Sequence, residues 1–207
     1  MERGVISSTR RRLLAMLALL APAALLGRTA QAANPAKPMD LFTAIKTRRS
    51  VRKYTADPVS DADLRQILAC GMQAPSACNE QPWRFVVIRD KALLAKAGDI
   101  NPYVKFARDA PLAVLVCGDK TLDKCGGYWV QDCSNCAMNM LLAAHALGLG
   151  AVWTGIHPLP EREQGFRDLC GLPPEVNPLA LLVIGHPAEH PQPEDRFKAD
   201  RISQNHW

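Results

Sequence analysis

Thr47-Arg48-Arg49-Ser50-Val51-Arg52-Lys53-Tyr54 places four cations and a hydroxyl within six residues, directly after the apolar-periodic Leu41, Phe42, Ala44 and Ile45. The charges therefore arrive at the end of an expected helix. Arginine forks two donors onto a phosphate or a polarised heterocycle edge, and a serine hydroxyl adds a third direction. Taken alone, the ordinary reading of such a window is a solvated basic turn, because charge runs are usually surface.

A second stretch, Ala74-Pro75-Ser76-Ala77-Cys78-Asn79-Glu80-Gln81-Pro82-Trp83, bridges an expected helix and an expected buried strand. Its prolines fix the path, its small residues let backbone amides approach a flat ligand, and Asn79 and Gln81 both donate and accept. Alone, it reads equally well as a connector or as a loop for a polar heterocycle.

Together, Arg48-Arg49-Ser50-Val51-Arg52 and Pro75 to Trp83 resemble the FMN-dependent nitroreductase family, the NAD(P)H:FMN oxidoreductase-like flavoproteins. Its members carry an Arg-Arg-Ser-x-Arg turn and a Pro-Ser-x-x-Asn-x-Gln-Pro-Trp loop. Further matches follow in order: Trp129 to Asp132, Asn139 to Gly150, Trp153-Thr154-Gly155, Gly185 to Ala188 and Glu194-Asp195-Arg196. The resemblance spans nearly the whole chain beyond its first 40 residues.

The resemblance implies an α+β domain, a three-layer α/β/α sandwich with a mixed sheet flanked by helices, in an intertwined homodimer. Arg48, Arg49 and Ser50 match the turn that holds the FMN phosphate and ribityl chain. Arg52 matches a cation at the pyrimidine edge, where it favours the negative charge of the reduced ring. Pro75, Ser76, Ala77 and Asn79 match a loop contributed by the second subunit. Thr154 and Gly155 match the segment over the ring near N5, and Arg196 matches a C-terminal phosphate ligand. Cys78 and Glu80 fill variable positions and are not assigned to the site; an acid at Glu80 would be unfavourable beside a phosphate unless it points away. Lys105 is the nearest counterpart of a lysine ligand that some members have. The implied activity is ping-pong hydride transfer from NAD(P)H or another reduced donor to a nitroaromatic, quinone or similar acceptor. The alternatives are a relative that uses oxygen to break down flavin or to dehalogenate, and a non-catalytic flavin carrier.

Residues 1–32 read as a twin-arginine signal peptide. Arg10, Arg11 and Arg12 precede an apolar run from Leu13 to Gly27, and Ala30-Gln31-Ala32 has the small-x-small form of a cleavage site. The apolar run falls short of the roughly 20 residues of a spanning helix. The expectation is a periplasmic or exported protein without a membrane anchor, or a cytoplasmic one if this segment is not a leader. That segment holds five arginines and one acid, so its removal takes the 25 basic and 20 acidic side chains to 20 and 19. A nearly neutral chain gives no support for nucleic-acid binding. Residues 33–40 read as a flexible, Pro-bearing entry segment and 41–207 as the FMN-binding domain.

Helices are expected from Ser60 to about Met72, from Lys91 to Ala97, over Trp129 to Gly148 and from Pro160 to Cys170. Strands are expected at Arg84 to Arg89, Ala113 to Gly118, Ala151 to Thr154 and Leu179 to Gly185. Met138, Met140, Leu141 and Leu142 read as core. Seven cysteines without patterned spacing give no disulfide framework. Cys133 and Cys136, one helical turn apart, read as buried packing in preference to a redox pair or half a metal site, and no metal is expected. His145 reads as a core or interface histidine. His157, two residues past Gly155, is a lesser candidate for the substrate side.

Overall fold

The computed structural model describes residues 39–207. The leader read at 1–32 and all but the end of the 33–40 entry segment lie outside the described residues. Asp40 is the N-cap of the first helix, α1 (Leu41–Thr47), its carboxylate accepting from the Thr43 N–H at 3.1 Å. Ser60 caps α2 (Asp61–Gly71) in the same way through the Asp63 N–H, with Asp61 and Asp63 in the first turn favouring the positive helix end.

The remaining elements follow in order: β1 (Trp83–Ile88), α3 (Lys91–Ile100), β2 (Leu112–Asp119), α4 (Trp129–Ala146), β3 (Gly150–Gly155), α5 (Pro160–Cys170) and β4 (Val176–Gly185). Four strands form one sheet in the order β1-β2-β4-β3. Side-chain alternation along the central strands divides the core in two. Leu112, Val114, Val116, Ala180, Leu182 and Ile184 face α2 and α4, while Ala113, Leu115, Cys117, Leu181 and Val183 face α3 and α5. This is the expected three-layer arrangement, with β2 and β4 buried along their whole length.

The expected mixed sheet needs one correction. All four strands pair antiparallel, and among the described residues parallel pairing is confined to the isolated bridge between Ser50 and Ala151. The basic turn is thus a short fifth rung on the β3 edge. The Val51 N–H donates to the Ala151 carbonyl at 3.1 Å, Thr55 N–H to His186 and Ala188 N–H to Lys53. Tyr54 bridges to Pro187 and donates its hydroxyl toward the Val51 and Val183 carbonyls.

The long helix α4 presents one face to the sheet, burying Cys133, Cys136, Ala137, Met140, Leu141 and Ala144. It approaches α2 closely where Gly71 lies against Met140. Met138, expected in the core, is exposed, because it falls on the face turned away from the sheet. Cys78 and Cys125 form a disulfide, with Cα atoms 6.4 Å apart.

Gly150 has no room for a side chain. A Cβ there would lie 2.7 Å from Val51 Cγ1 and 2.9 Å from Val51 Cβ. Gly150→Ala is therefore expected to cost about 1–3 kcal/mol through overpacking. Chemical denaturation of the two proteins measures it, and equal midpoints at equal slope would disprove the close docking of the turn on β3.

Candidate functional site

The end of α1 and the C-terminal segment face one another across a cavity of about 550 Å³, lined by Ile45, Lys46, Thr47, Arg48, Arg49 and Pro193 to Phe197. Arg48 and Arg196, 148 positions apart in sequence, meet there. Burial, followed by the charges of Arg49 and Arg196, pushes the Arg48 pKa below its ordinary value. A guanidinium destabilised by two like charges gains most from an anion placed among them. The chemistry of this donor set suits a phosphate.

Arg49 has a different task. Its Nε donates to the Gln192 carbonyl at 3.2 Å, Nη1 to Lys46 at 3.0 Å and Arg48 at 2.7 Å, and Nη2 to Glu194 at 3.1 Å. With its donors spent on backbone carbonyls, Arg49 straps the C-terminal segment to the basic turn. That strap is what carries Arg196 to Arg48. Ser50 is held at the β3 bridge beside them.

Arg52 lines a second cavity, of about 290 Å³, with Asn101, Tyr103, Val152, Trp153, Thr154, Gly155 and Arg162. Its backbone N–H is fixed by the Glu189 carboxylate at 2.6 Å. Thr154 is buried and donates its hydroxyl to the Leu181 carbonyl at 2.8 Å, leaving only main chain to face a ligand. A Cβ built on Gly155 would meet nothing within 4 Å, so flat chemistry can approach the backbone there.

Asn101, Tyr103 and Arg162 were not picked out from the sequence. Buried Asn101 donates to the Gly155 carbonyl at 3.3 Å and accepts from the Tyr103 N–H, and Arg162 donates to the same carbonyl at 3.0 Å. Arg162 also lies over the Tyr103 ring at 5.6 Å. The usable signal was Asn101-Pro102, an Asn side-chain cap placed one residue ahead of a proline. Lys105 lies on the same short turn of helix, its stem packed on Gly98.

The loop Pro75, Ser76, Ala77 and Asn79 stands at the start of α4, where the Ala77 N–H donates to buried Asp132 at 3.0 Å. Ser76 Oγ accepts from the Gln81 N–H, and Asn79 Oδ1 accepts from the Gln81 side chain. The Glu80 carboxylate accepts from the Lys124 N–H. Among the described residues, the second oxygens of Asp132 and Glu80 are buried without a hydrogen-bond partner. The structure thus gathers Arg48, Arg49 and Arg196 into one cation wall and places Arg52 with Thr154 and Gly155 at a second cavity, Ser50 lying between them on the turn, while the Pro75–Asn79 loop is positioned separately by α4.

The rival residues fall elsewhere. Cys133 and Cys136 are fully buried; burial drives both thiols upward, Cys136 to about 12. His157 pairs with Glu163 at 2.7 Å and packs edge-on against Trp129, facing α4 and not the Arg52 cavity. His145 Nε2 lies 2.8 Å from Thr47 Oγ1, whose own proton goes to the Thr43 carbonyl. The imidazole is therefore the donor, in its Nε2–H form.

The sequence model of the Nitroreductase family matches residues 45–102 and 101–186. A protein of Methanothermobacter thermautotrophicus named "Putative NADH dehydrogenase/NAD(P)H nitroreductase" is 47% identical over 169 residues, covering 82% of this chain and 88% of that protein. Among solved structures, a "putative nitroreductase in complex with FMN" from Desulfovibrio desulfuricans is 34% identical with a TM-score of 0.71, covering 83% of this chain and 99% of that one. An FMN-dependent nitroreductase of Clostridium difficile R20291 is 26% identical with a TM-score of 0.75, covering 81% of this chain and all of that one.

Two outcomes follow from the cation wall. Arg49→Ala is expected to release residues beyond Gln192, so that limited proteolysis cuts the C-terminal segment severalfold faster while the core resists; unchanged cleavage would remove the strap. His145 has its pKa lowered below 6.5, first by burial and then by Arg48 and Arg49. The unfolded chain takes up this proton first on acidification, so stability is intact above pH 6.5 and falls as pH drops through it. His145→Gln should flatten that part of the stability profile measured by denaturation between pH 7.5 and 5.

Proposed function

The chain belongs to the nitroreductase family, and from that membership and the cation wall we propose that it is an FMN-dependent oxidoreductase acting by ping-pong hydride transfer. The observation that carries the reading is that one short turn serves two cavities: at one end a cavity lined by four cations, Lys46, Arg48, Arg49 and Arg196, and two acids, Glu194 and Asp195, and at the other Arg52 beside backbone open enough for a flat ring. FMN is a phosphate joined to such a ring, and the donor set fits both ends. When bound, FMN supplies the redox chemistry at N5, between a reduced donor and an acceptor such as a nitroaromatic or quinone.

The chain's own residues bind and orient. Arg48 and Arg196 neutralise the phosphate, Arg49 holds the segment bearing Arg196, and Ser50 supplies a hydroxyl toward the ribityl chain. Arg52 places positive charge where the ring becomes negative on reduction. Thr154 and Gly155 offer main chain only, which lets donor and acceptor use one open face in turn.

Two wider features of the reading draw on exposed surface and cysteine chemistry. A homodimer is supported by the apolar side chains that α1 and the C-terminal segment leave exposed, Leu41, Phe42, Ile45, Phe197, Ile202 and Trp207, a larger display than scattered surface residues need. In that dimer the Pro75–Asn79 loop serves the partner's cofactor. Export by the twin-arginine route is supported by the Cys78–Cys125 disulfide, a bond suited to an oxidising compartment. The physiological donor would then be available outside the cytoplasm.

An absorbance spectrum of the purified protein, followed by anaerobic NADH and NADPH, tests the reading. A flavin spectrum that bleaches and recovers with a nitroaromatic or quinone is expected, whereas a colourless protein that takes up no FMN would end it. Arg48→Ala should weaken FMN binding about 10- to 100-fold, the worth of one charge-assisted contact. Arg52→Ala should keep FMN and lower its two-electron potential by about 30–60 mV; an unchanged potential at full occupancy would remove the role given to Arg52.

A further inference from the structure

The cofactor loop is held in a conformation that its residues do not choose for themselves. Cys78, Asn79 and Gln81 have φ of 49°, 56° and 53°, in the left-handed region; an asparagine tolerates it, but Cys78 and Gln81 enter it at a cost of about 1–2 kcal/mol each. Such a run persists only where surrounding structure over-determines it.

Three ties leave the loop. The first is the Ala77 N–H to Asp132 on α4. The other two reach a single short stretch: the Glu80 carboxylate accepts from the Lys124 N–H, and Cys78 is bonded to Cys125. That stretch has little packing of its own. Gly126 and Gly127 follow at φ of 103° and 90°, with no atom within 4 Å of where their Cβ would stand. The covalent bond is thus what makes the 124–125 stretch a fixed support for a strained loop.

We propose that the Cys78–Cys125 disulfide is a positioning element for the Pro75–Asn79 loop, so that FMN affinity depends on this bond being oxidised. The inference rests on the FMN reading above. Reduction by a dithiol delivers two electrons and two protons, giving one thiol at Cys78 and one at Cys125 while the dithiol closes to its own disulfide. The freed loop can leave its left-handed conformation, and the FMN site must then order it again on binding. Linkage makes the effect reciprocal: bound FMN disfavours reduction of the bond. Cys78 is exposed and Cys125 half-buried, so a small reductant can reach them. Cys117, Cys133 and Cys136 are fully buried and offer no ready exchange partner.

The test uses the protein as purified, the protein after dithiothreitol, and the Cys78→Ser, Cys125→Ser and double variants. Denatured without reductant, the purified protein should show five titratable thiols, the number left free when Cys78 and Cys125 are bonded. FMN fluorescence titration should give a Kd about tenfold or more weaker after reduction. The single variants should match the reduced protein, the double variant should lose nothing further, and reoxidation should restore the wild type only. Saturating FMN should also disfavour reduction by dithiothreitol, which a merely structural cross-link would not produce. Should the variants fold poorly, the reduced wild type carries the measurement, with far-ultraviolet circular dichroism showing its fold intact. Seven titratable thiols, or equal FMN affinity in both redox states, would overturn the proposal while leaving the flavoenzyme reading in place. A protein that binds no FMN in either state would overturn both.

Discussion

The pairing of Ser50 with Ala151 is the contact on which the site depends. It takes a basic turn that would otherwise be solvated surface and registers it against the edge of the sheet. Register on a strand has a period of two, so a shift of one residue would exchange the outward and inward side chains of the whole turn. Val51 then faces Gly150 and packs, while Arg48 and Arg52 are left to the cavities at either end. Tyr54 completes the docking with a buried hydroxyl shared between two carbonyls, and burial raises its pKa far above the ordinary phenol value. A phenol that stays protonated is a dependable donor throughout the physiological range.

The arginines of the turn show how little a charge count says about a site. Arg49 and Arg48 are adjacent and chemically identical, yet one gives its donors to four carbonyls and the other lines the cavity beside Arg196, its pKa lowered by burial and like charge. The difference comes from direction: Arg49 points along the path of the returning C-terminal segment. Without that segment the cavity would lose a wall as well as a cation, since Pro193 to Phe197 line it.

The parts of the fold legible in the sequence were those decided locally. The apolar runs of β1 and β2, the Ser60 cap and the Pro160 start of α5 all lie close to where residue type and period place them. The start of β4 was read three residues late because Pro178 lies inside it; the strand tolerates that proline where β2 shifts register between Val116 and Cys117. The Pro102–Asp109 turn of helix is hard to see in the sequence because eight residues of 3₁₀ helix with only Val104 and Ala107 buried are too short to show a repeating apolar face. In the site, Arg48, Ser50, Arg52, Thr154 and Gly155 were legible through a motif held in short segments. Asn101 and Arg162 were not, because their use arises only when α3 and α5 converge on one strand end. The Cys78–Cys125 bond joins residues 47 apart, a separation with no local signal.

Gly155 ends its strand with a carbonyl held by two donors from different helices, an amide from the end of α3 and a guanidinium from α5. Such convergence fixes the plane of the following peptide, whose own N–H is bonded to Leu179. A strand terminus ordinarily frays, and a ligand that met a frayed one would have to order it on arrival. Here the ordering entropy is settled during folding. Selectivity at this position therefore comes from rigidity: a planar partner that matches the fixed peptide is accepted without rearrangement, and a puckered one meets a surface that cannot yield to it.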